Sequence, residues 1–347
     1  MTSNEIIESV RAIVNGGTPE HDISDILWQH RCFFLLSKLP SNPYKQRLEL
    51  EGALNRIAIK ERYKACAPLF EKIDFPYAVI KGAVLSESAY GDSFTRSSGD
   101  IDILIRRQDA DKMKALLLSL GFIQGRVTDS GIVPFTRREI LFQTAMSHQT
   151  APYIKQTDNR LCPYVNLDVN MDVMWGESDE RVDAGKILAC NENSSLFGIT
   201  FRKLTDEAGF ISLCLHHYKD MNSLYLLSGG SLKLSLFCDI YYYLKNVRPN
   251  AHVLAALCKE LNVGKYVYAC VEHTKQIFGG EFAEYLECLE SMKDASLLNS
   301  FGLNDKERKA WNLTLPERLF LPDLPRYVFD TLNESEKAKV EANRNYM

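Results

Sequence analysis

Residues 80–107 read IKGAVLSESAYGDSFTRSSGDIDILIRR, and the fold turns on how they are read. The apolar run YAVI (77–80) predicts a short buried strand, the residues after Gly82 a helix, and IDILI a second strand. Aspartate is a poor strand former, so Asp100 and Asp102 on either side of Ile101 ask for a reason. In a strand, residues i and i+2 point to the same face. Both carboxylates therefore project side by side while Ile101 enters the core. Two such charges repel unless a cation sits between them, and Mg²⁺ is the hard cation that carboxylate oxygens favour. A blander reading exists: Asp100 closes the SSGD turn and Asp102 faces solvent on an edge strand. The glycine-led helix that precedes them tips the balance, because the free N–H groups and dipole at a helix N-terminus bind phosphate. Gly82 lets a phosphate approach the backbone, and Lys81 and Arg96 add positive charge.

Working outward, ISDILWQHRCFFLLSKL and YKQRLELEGALNRIAIKERYKACAPLFEKI repeat apolar residues at helical spacing and predict two helices, the second long. Beyond the opening stretch, QDADKMKALLLSLG predicts a helix ending at Gly121 and FIQGRV a strand. REILFQTAMSHQ (138–149) and PYVNLDVNMDVM (163–174) are read as two further strands. The expectation is an α+β protein with a mixed sheet of about five strands. Helical periodicity returns after Glu177, with SLYLLSGGS (223–231) as a turn between helices. The division expected is an N-terminal helical region (1–75), a central core (76–176) and a C-terminal helical domain (177–347).

With 347 residues, 46% hydrophobic and 25% charged, the composition is that of an ordinary globular protein. The net charge of -4 gives no general attraction for nucleic acid, and no basic stripe interleaved with aromatics is present. Nine scattered cysteines, never spaced C-x-x-C, predict reduced core thiols and no zinc site. No stretch has the form of a signal peptide or the ~18 apolar residues of a membrane span, so a cytoplasmic location is expected.

The segment VIKGAVLSESAYGDSFTRSSGDIDILI resembles the signature of bacterial nucleotidyltransferases of the DNA polymerase β superfamily. The branch in question reads Lys-Gly-small, a helix ending in tyrosine, an arginine, then Asp-Ile-Asp. The resemblance covers residues 76–175, and residues 216–244 are similar in character to that family's C-terminal helices. It implies a polymerase β-like core and a nucleotide site at Lys81, Gly82, Ala83, Arg96 and Ser98, with Lys219 and Lys233 reaching in from the helical domain. It also implies a third carboxylate on a later strand, and NLDVNMDVMWG offers two. Asp168, Asn170 and Asp172 share a strand face by alternation. Asp172 is favoured because DVMW is similar to the family's Asp-aliphatic-His-Trp, with Asp168 second. The implied catalytic set is Asp100, Asp102 and Asp172 or Asp168, and the metal ligands Asp100, Asp102 and Asp172. Two departures stand out: Ala83 replaces a serine common in the superfamily, and Met174 replaces a histidine, so no acid–base role is assigned there.

The resemblance implies transfer of a nucleoside monophosphate, AMP from ATP above all, with two Mg²⁺ (or Mn²⁺) ions. The acceptor would be a hydroxyl or amine on a small molecule or protein, and pyrophosphate would be released. An RNA-modifying enzyme of toxin or defence type is the alternative. A non-catalytic nucleotide-binding module is disfavoured by the intact Asp-Ile-Asp. His216 and His217, adjacent on a helix, diverge by about 100° and read as core or capping residues rather than paired ligands. Asp239 reads as a structural partner for a cation in the cleft.

Overall fold

The computed structural model describes residues 1–344 apart from Ser147, Ser231 and Glu281. One eight-stranded mixed sheet, rather than the five or so strands expected, runs through the molecule in the order β4-β3-β5-β6-β2-β1-β8-β7. Its strands are β1 (Tyr77–Ile80), β2 (Asp100–Ile105), β3 (Ile123–Thr128), β4 (Gly131–Pro134), β5 (Tyr153–Gln156), β6 (Tyr164–Asn170), β7 (Asn191–Leu196) and β8 (Ile199–Leu204). The pairs β2–β6 and β1–β8 are parallel, and the other neighbours antiparallel.

Alternation divides the apolar residues between the sheet's two faces. Ile101, Ile103 and Ile105 of β2, with Val165, Leu167 and Val169 of β6, pack into one cluster. That cluster is closed by two helices. The long helix Lys45–Lys72 contributes Ile59, Tyr63, Cys66, Leu69 and Phe70, and the helix Ala110–Ser119 contributes Met113 and Leu117. The opposite face carries Ala78, Ile80 and Leu104 into a larger cluster built by helices. In chain order the helices are α1 (Ser3–Val14), α2 (Ser24–Gln29), α3 (Phe33–Ser37), α4 (Lys45–Lys72), α5 (Gly82–Tyr90), α6 (Ala110–Ser119), α7 (Arg137–Met146), α8 (Ala184–Ala189), α9 (Asp206–Asn222), α10 (Leu224–Gly229), α11 (Leu234–Asn246), α12 (Ala251–Glu260) and α13 (Gly264–Phe278), with shorter ones beyond. Val10, Leu27 and Leu35 of α1–α3 join Phe210 of α9 and Phe237 of α11 in this layer, so the chain's first helices pack with those that follow the sheet.

Four expectations need correction. Residues 138–149 hold a helix, α7, not a strand. Thr136 and Glu139 form a capping box in which Thr136 N–H donates to Glu139 Oε2 at 2.7 Å and Glu139 N–H to Thr136 Oγ1 at 3.3 Å; Ser147 of that stretch lies outside the described residues. The helix read across residues 23–39 is broken into α2 and α3 at Arg31, whose φ of 56° is incompatible with a right-handed helix. Most of SLYLLSGGS is the short helix α10, and its last residue, Ser231, is not described. Finally, β7 and β8 follow residue 177, where only helices were expected. Their two-residue turn sets both Phe197 (φ 55°) and Gly198 (φ 77°) left-handed, as a tight hairpin requires. Among the described residues no helix is long and apolar enough to cross a membrane.

The join between sheet and helices rests on Trp175, just past β6. It is 1% exposed, stacks on Tyr218 of α9 at 5.5 Å, meets Tyr266 of α13 edge-on at 5.3 Å and donates Nε1–H to the Leu303 carbonyl at 3.2 Å. Trp175→Ala is expected to cost about 3–5 kcal/mol through the cavity it leaves. Urea unfolding should show a lower midpoint at unchanged slope.

Candidate active site

The strand β1 ends at Ile80 and the chain turns into α5 through two left-handed residues, Lys81 (φ 57°) and Gly82 (φ 48°). A side chain at position 82 would be strained, and its Cβ would lie 2.9 Å from Ser98 Oγ. Glycine is therefore required both by the backbone and by the loop above it. Ser98 Oγ donates to the Asp100 carbonyl at 3.0 Å. From α4, Arg62 Nη1 donates to the Ser98 carbonyl at 2.5 Å and Asn55 Nδ2 to the Phe94 carbonyl at 2.6 Å, fixing the loop between α5 and β2. Ala83 points its methyl into the apolar cluster beneath the sheet, so this position offers the site a backbone amide only.

Parallel pairing of β2 with β6 sets Asp102 opposite Asp168 and Asp100 opposite Asn166. Side chains in register on adjacent strands share a face, so Asp100, Asp102 and Asp168 form one cluster. Lys81 Nζ lies 3.1 Å from Asp102 Oδ1, and Asn170 Nδ2 donates to the same oxygen at 3.1 Å. Burial, then the charges of Asp102 and Asp100, push the Asp168 carboxyl up to about 7 against the pull of Lys81. Burial and Asp102 likewise raise Asp100, opposed by Lys81, Arg62 and Arg96. Asp172 lies beyond the strand, in a recess that it lines with Lys81, Asn170, His216 and Lys219. The strand ends at Asn170, and Asp172 Oδ1 accepts from the Met174 backbone at 2.9 Å. Burial raises its carboxyl, while the backbone N–H of Met174 and the charge of Arg181 oppose the rise. The alternation expected to run from Asp168 to Asp172 stops at Asn170.

The cluster lines a cavity of about 270 Å³ together with Lys81, Gly82, Arg96, Ser98, Gln149, His216 and Lys219. Arg96 is held from behind. Its Nε donates to Asp239 Oδ2 at 2.8 Å, while Tyr90 Oη donates to Oδ1 at 2.6 Å and His217 Nε2 lies 3.0 Å from Oδ2. Burial alone would raise the Asp239 carboxyl, but Arg96, His217 and Tyr90 outweigh it and hold it at about 2. No protein acceptor among the described residues meets the two terminal amino groups of Arg96. Lys219 Nζ is 3.5 Å from Asp220 Oδ1. Lys233 is not brought to the carboxylates: its Nζ donates to the Gln29 carbonyl at 3.1 Å and it lines a neighbouring cavity.

His217 is fully buried, whereas His216 faces the cavity and is pushed well below the usual histidine range by burial and by Lys81 and Lys219. His216, His217 and Asp220 present ligand atoms within 4.8 Å of one another. His217 Nε2 is already engaged by Asp239, and His216 Nε2 lies 3.4 Å from Asp220 Oδ2. Sequence reasoning did not assign Arg62, Asn170, Gln149 or His216 to the site. Arg62 sits three residues from the core residue Ile59, and Asn170 two residues from Asp168, so spacing alone carried a signal for both.

A carboxyl that binds its proton more tightly in the folded protein than in the unfolded chain stabilises the fold while protonated. That contribution is complete below the unfolded value and is lost as pH rises through the folded one. For Asp168 the window runs from its ordinary 3.8 up to about 7. In chelator, the thermal midpoint of the wild type should therefore fall more steeply between about pH 4 and 7 than that of Asp168→Asn. Parallel pH curves for the two proteins would contradict the placement of Asp168 in the cluster.

Comparison with known proteins gives one finding: a family model described as "Uncharacterised nucleotidyltransferase" matches residues 19–279, a span holding the whole sheet and every residue of the cavity. No curated protein and no solved structure matches the chain.

Proposed function

The chain belongs to the uncharacterised nucleotidyltransferase family, and from that premise we propose that it is a polymerase β-like enzyme that moves a nucleoside monophosphate, AMP from ATP, onto a hydroxyl or amine. The observation that carries the reading is the register of β2 on β6, which sets Asp102 beside Asp168 at the mouth of the Lys81–Gly82 turn. The donor set fits a hard divalent cation: oxygen ligands only, two of the carboxyls raised by burial and mutual repulsion, and Lys81 the cation in contact with them. Asp100, Asp102 and Asp168 would hold Mg²⁺ or Mn²⁺, two ions for three carboxylates, which neutralise phosphate charge and orient the reacting oxygens.

The chain's own groups do the rest. Backbone N–H groups at the start of α5 and the free edge of Arg96 bind the triphosphate, and Lys219 adds charge from the helical layer. The acceptor's oxygen or nitrogen bonds to the α-phosphorus as the bond from that phosphorus to the bridging oxygen breaks. Pyrophosphate leaves with the electron pair. Asp168, the carboxylate set opposite Asp102, can take the acceptor's proton.

The test is incubation with each α-³²P-labelled NTP, Mg²⁺ or Mn²⁺, and a lysate split into protein, RNA and small-molecule fractions. Asp102→Asn and Asp168→Asn should each lower labelling by about 100-fold or more, while Asp172→Asn should stay within about tenfold. Labelling that survives Asp168→Asn but not Asp172→Asn would reassign the third carboxylate. Absence of both transfer and metal-dependent NTP binding would sink the enzyme reading.

A further inference from the structure

A two-substrate transferase needs a second binding space that opens onto the first. Next to the carboxylate cavity lies a larger one of about 340 Å³, and the two share Arg96 and Ser97 as a common wall. A volume of that order suits a small molecule. Segments distant in sequence converge on it: the α2–α3 junction, the end of α5 with its following loop, and α10–α11.

Its chemistry is uneven. Phe34 and Leu236 supply apolar surface, Ser97 a polar group, and the two lining carboxylates are already paired, Asp220 with His216 and Lys219 and Asp239 with Arg96 and His217. Arg31 and Lys233 also line it, and among the described residues neither has a carboxylate partner; Lys233 donates only to the Gln29 carbonyl. Arg31 is moreover a non-glycine residue in the left-handed region, at the break between α2 and α3. Backbone strain of this kind persists where the surrounding structure enforces it, and such residues concentrate at binding sites. Arg31 also adds to the burial that lowers the ammonium affinity of Lys233 for its proton.

We propose that this cavity is the acceptor site, and that the acceptor is a small molecule with an apolar or aromatic body and an anionic group, carboxylate or phosphate, seated between Arg31 and Lys233. Its nucleophile passes the Arg96–Ser97 wall to reach the α-phosphorus. A polymer is disfavoured by the same lining, since two cations at one recess do not make the extended basic track that a nucleic acid follows. The inference rests on the nucleotidyl-transfer reading above.

Two measurements on the full chain separate the failures. The first is equilibrium binding of 8-anilinonaphthalene-1-sulfonate, an aromatic anion, and separately of Mg²⁺-ATP. Ser235→Trp, which fills the cavity, should abolish binding of the dye, and Arg31→Ala/Lys233→Ala should weaken it about tenfold. Mg²⁺-ATP affinity should stay within about twofold in both variants, and ATP should not compete with the dye. The second is label transfer from α-³²P-ATP into the lysate fraction of small molecules, expected to drop about tenfold or more in the same variants. Competitive phosphorylated or carboxylated acceptors added to the assay then distinguish the two anions. Dye binding indifferent to the variants, displacement of the dye by Mg²⁺-ATP, or label appearing only in protein or RNA would overturn this proposal alone. A wild-type protein that transfers no label to any fraction would instead bring down the reading beneath it, and this one with it.

Discussion

Everything at the site depends on one piece of register. Strands β2 and β6 run parallel with Asp102 opposite Asp168, and this concentrates acid on a face that the helical layer covers. Like charges at such a distance work against the fold, and burial strengthens the repulsion by removing water. The structure relieves it in part with Lys81, held 3.1 Å from Asp102 by the left-handed turn out of β1. One ammonium in contact does not balance three carboxylates, and burial leaves Asp100 and Asp168 holding their protons more tightly than usual.

The rest of the molecule keeps that arrangement open on one side. Alternation along β2 and β6 sends Ile101, Ile103 and Ile105 and Val165, Leu167 and Val169 downward against α4 and α6. Had the register slipped by one residue, the acids would enter that core. The long N-terminal helix does more than cover the sheet, because Asn55 and Arg62 tie down the loop that carries Arg96 and Ser98. Scaffold and site are therefore coupled through backbone carbonyls rather than through the acids themselves.

How much of this was legible in the sequence follows from what kind of information each feature needs. The β1–α5–β2 unit was legible because its evidence is local: an apolar run, a glycine, then alternating acids and isoleucines. The helix α7 was misread because Ile140-Leu141-Phe142 looks like a buried strand, although Thr136 and Glu139 carried the capping signal beside it. Strand β7, NENSSL, has no apolar alternation, and only its hairpin with β8 makes it a strand. Which of Asp168 and Asp172 lies opposite Asp102 was beyond local reading altogether. It turns on where β6 ends and which residue faces Asp102, and both are properties of pairing rather than of composition.

Asp239 shows what such pairing makes available. It sits on α11, in sequence far from the sheet, yet its buried carboxylate gathers Tyr90 from the end of α5, Arg96 from the loop and His217 from α9. Each partner alone would leave a buried charge or a buried donor unsatisfied, at a cost that the other bonds offset only when all are formed. The helical layer is thus bound to the loop that leads into β2, through the bond from Arg96 Nε to Asp239. Because Arg96 is also part of the wall between the two cavities, the same bond that holds it to Asp239 fixes the partition between them. Packing of the helices and geometry of the cleft are consequently not independent: a shift of α11 would move Arg96, and with it both spaces at once.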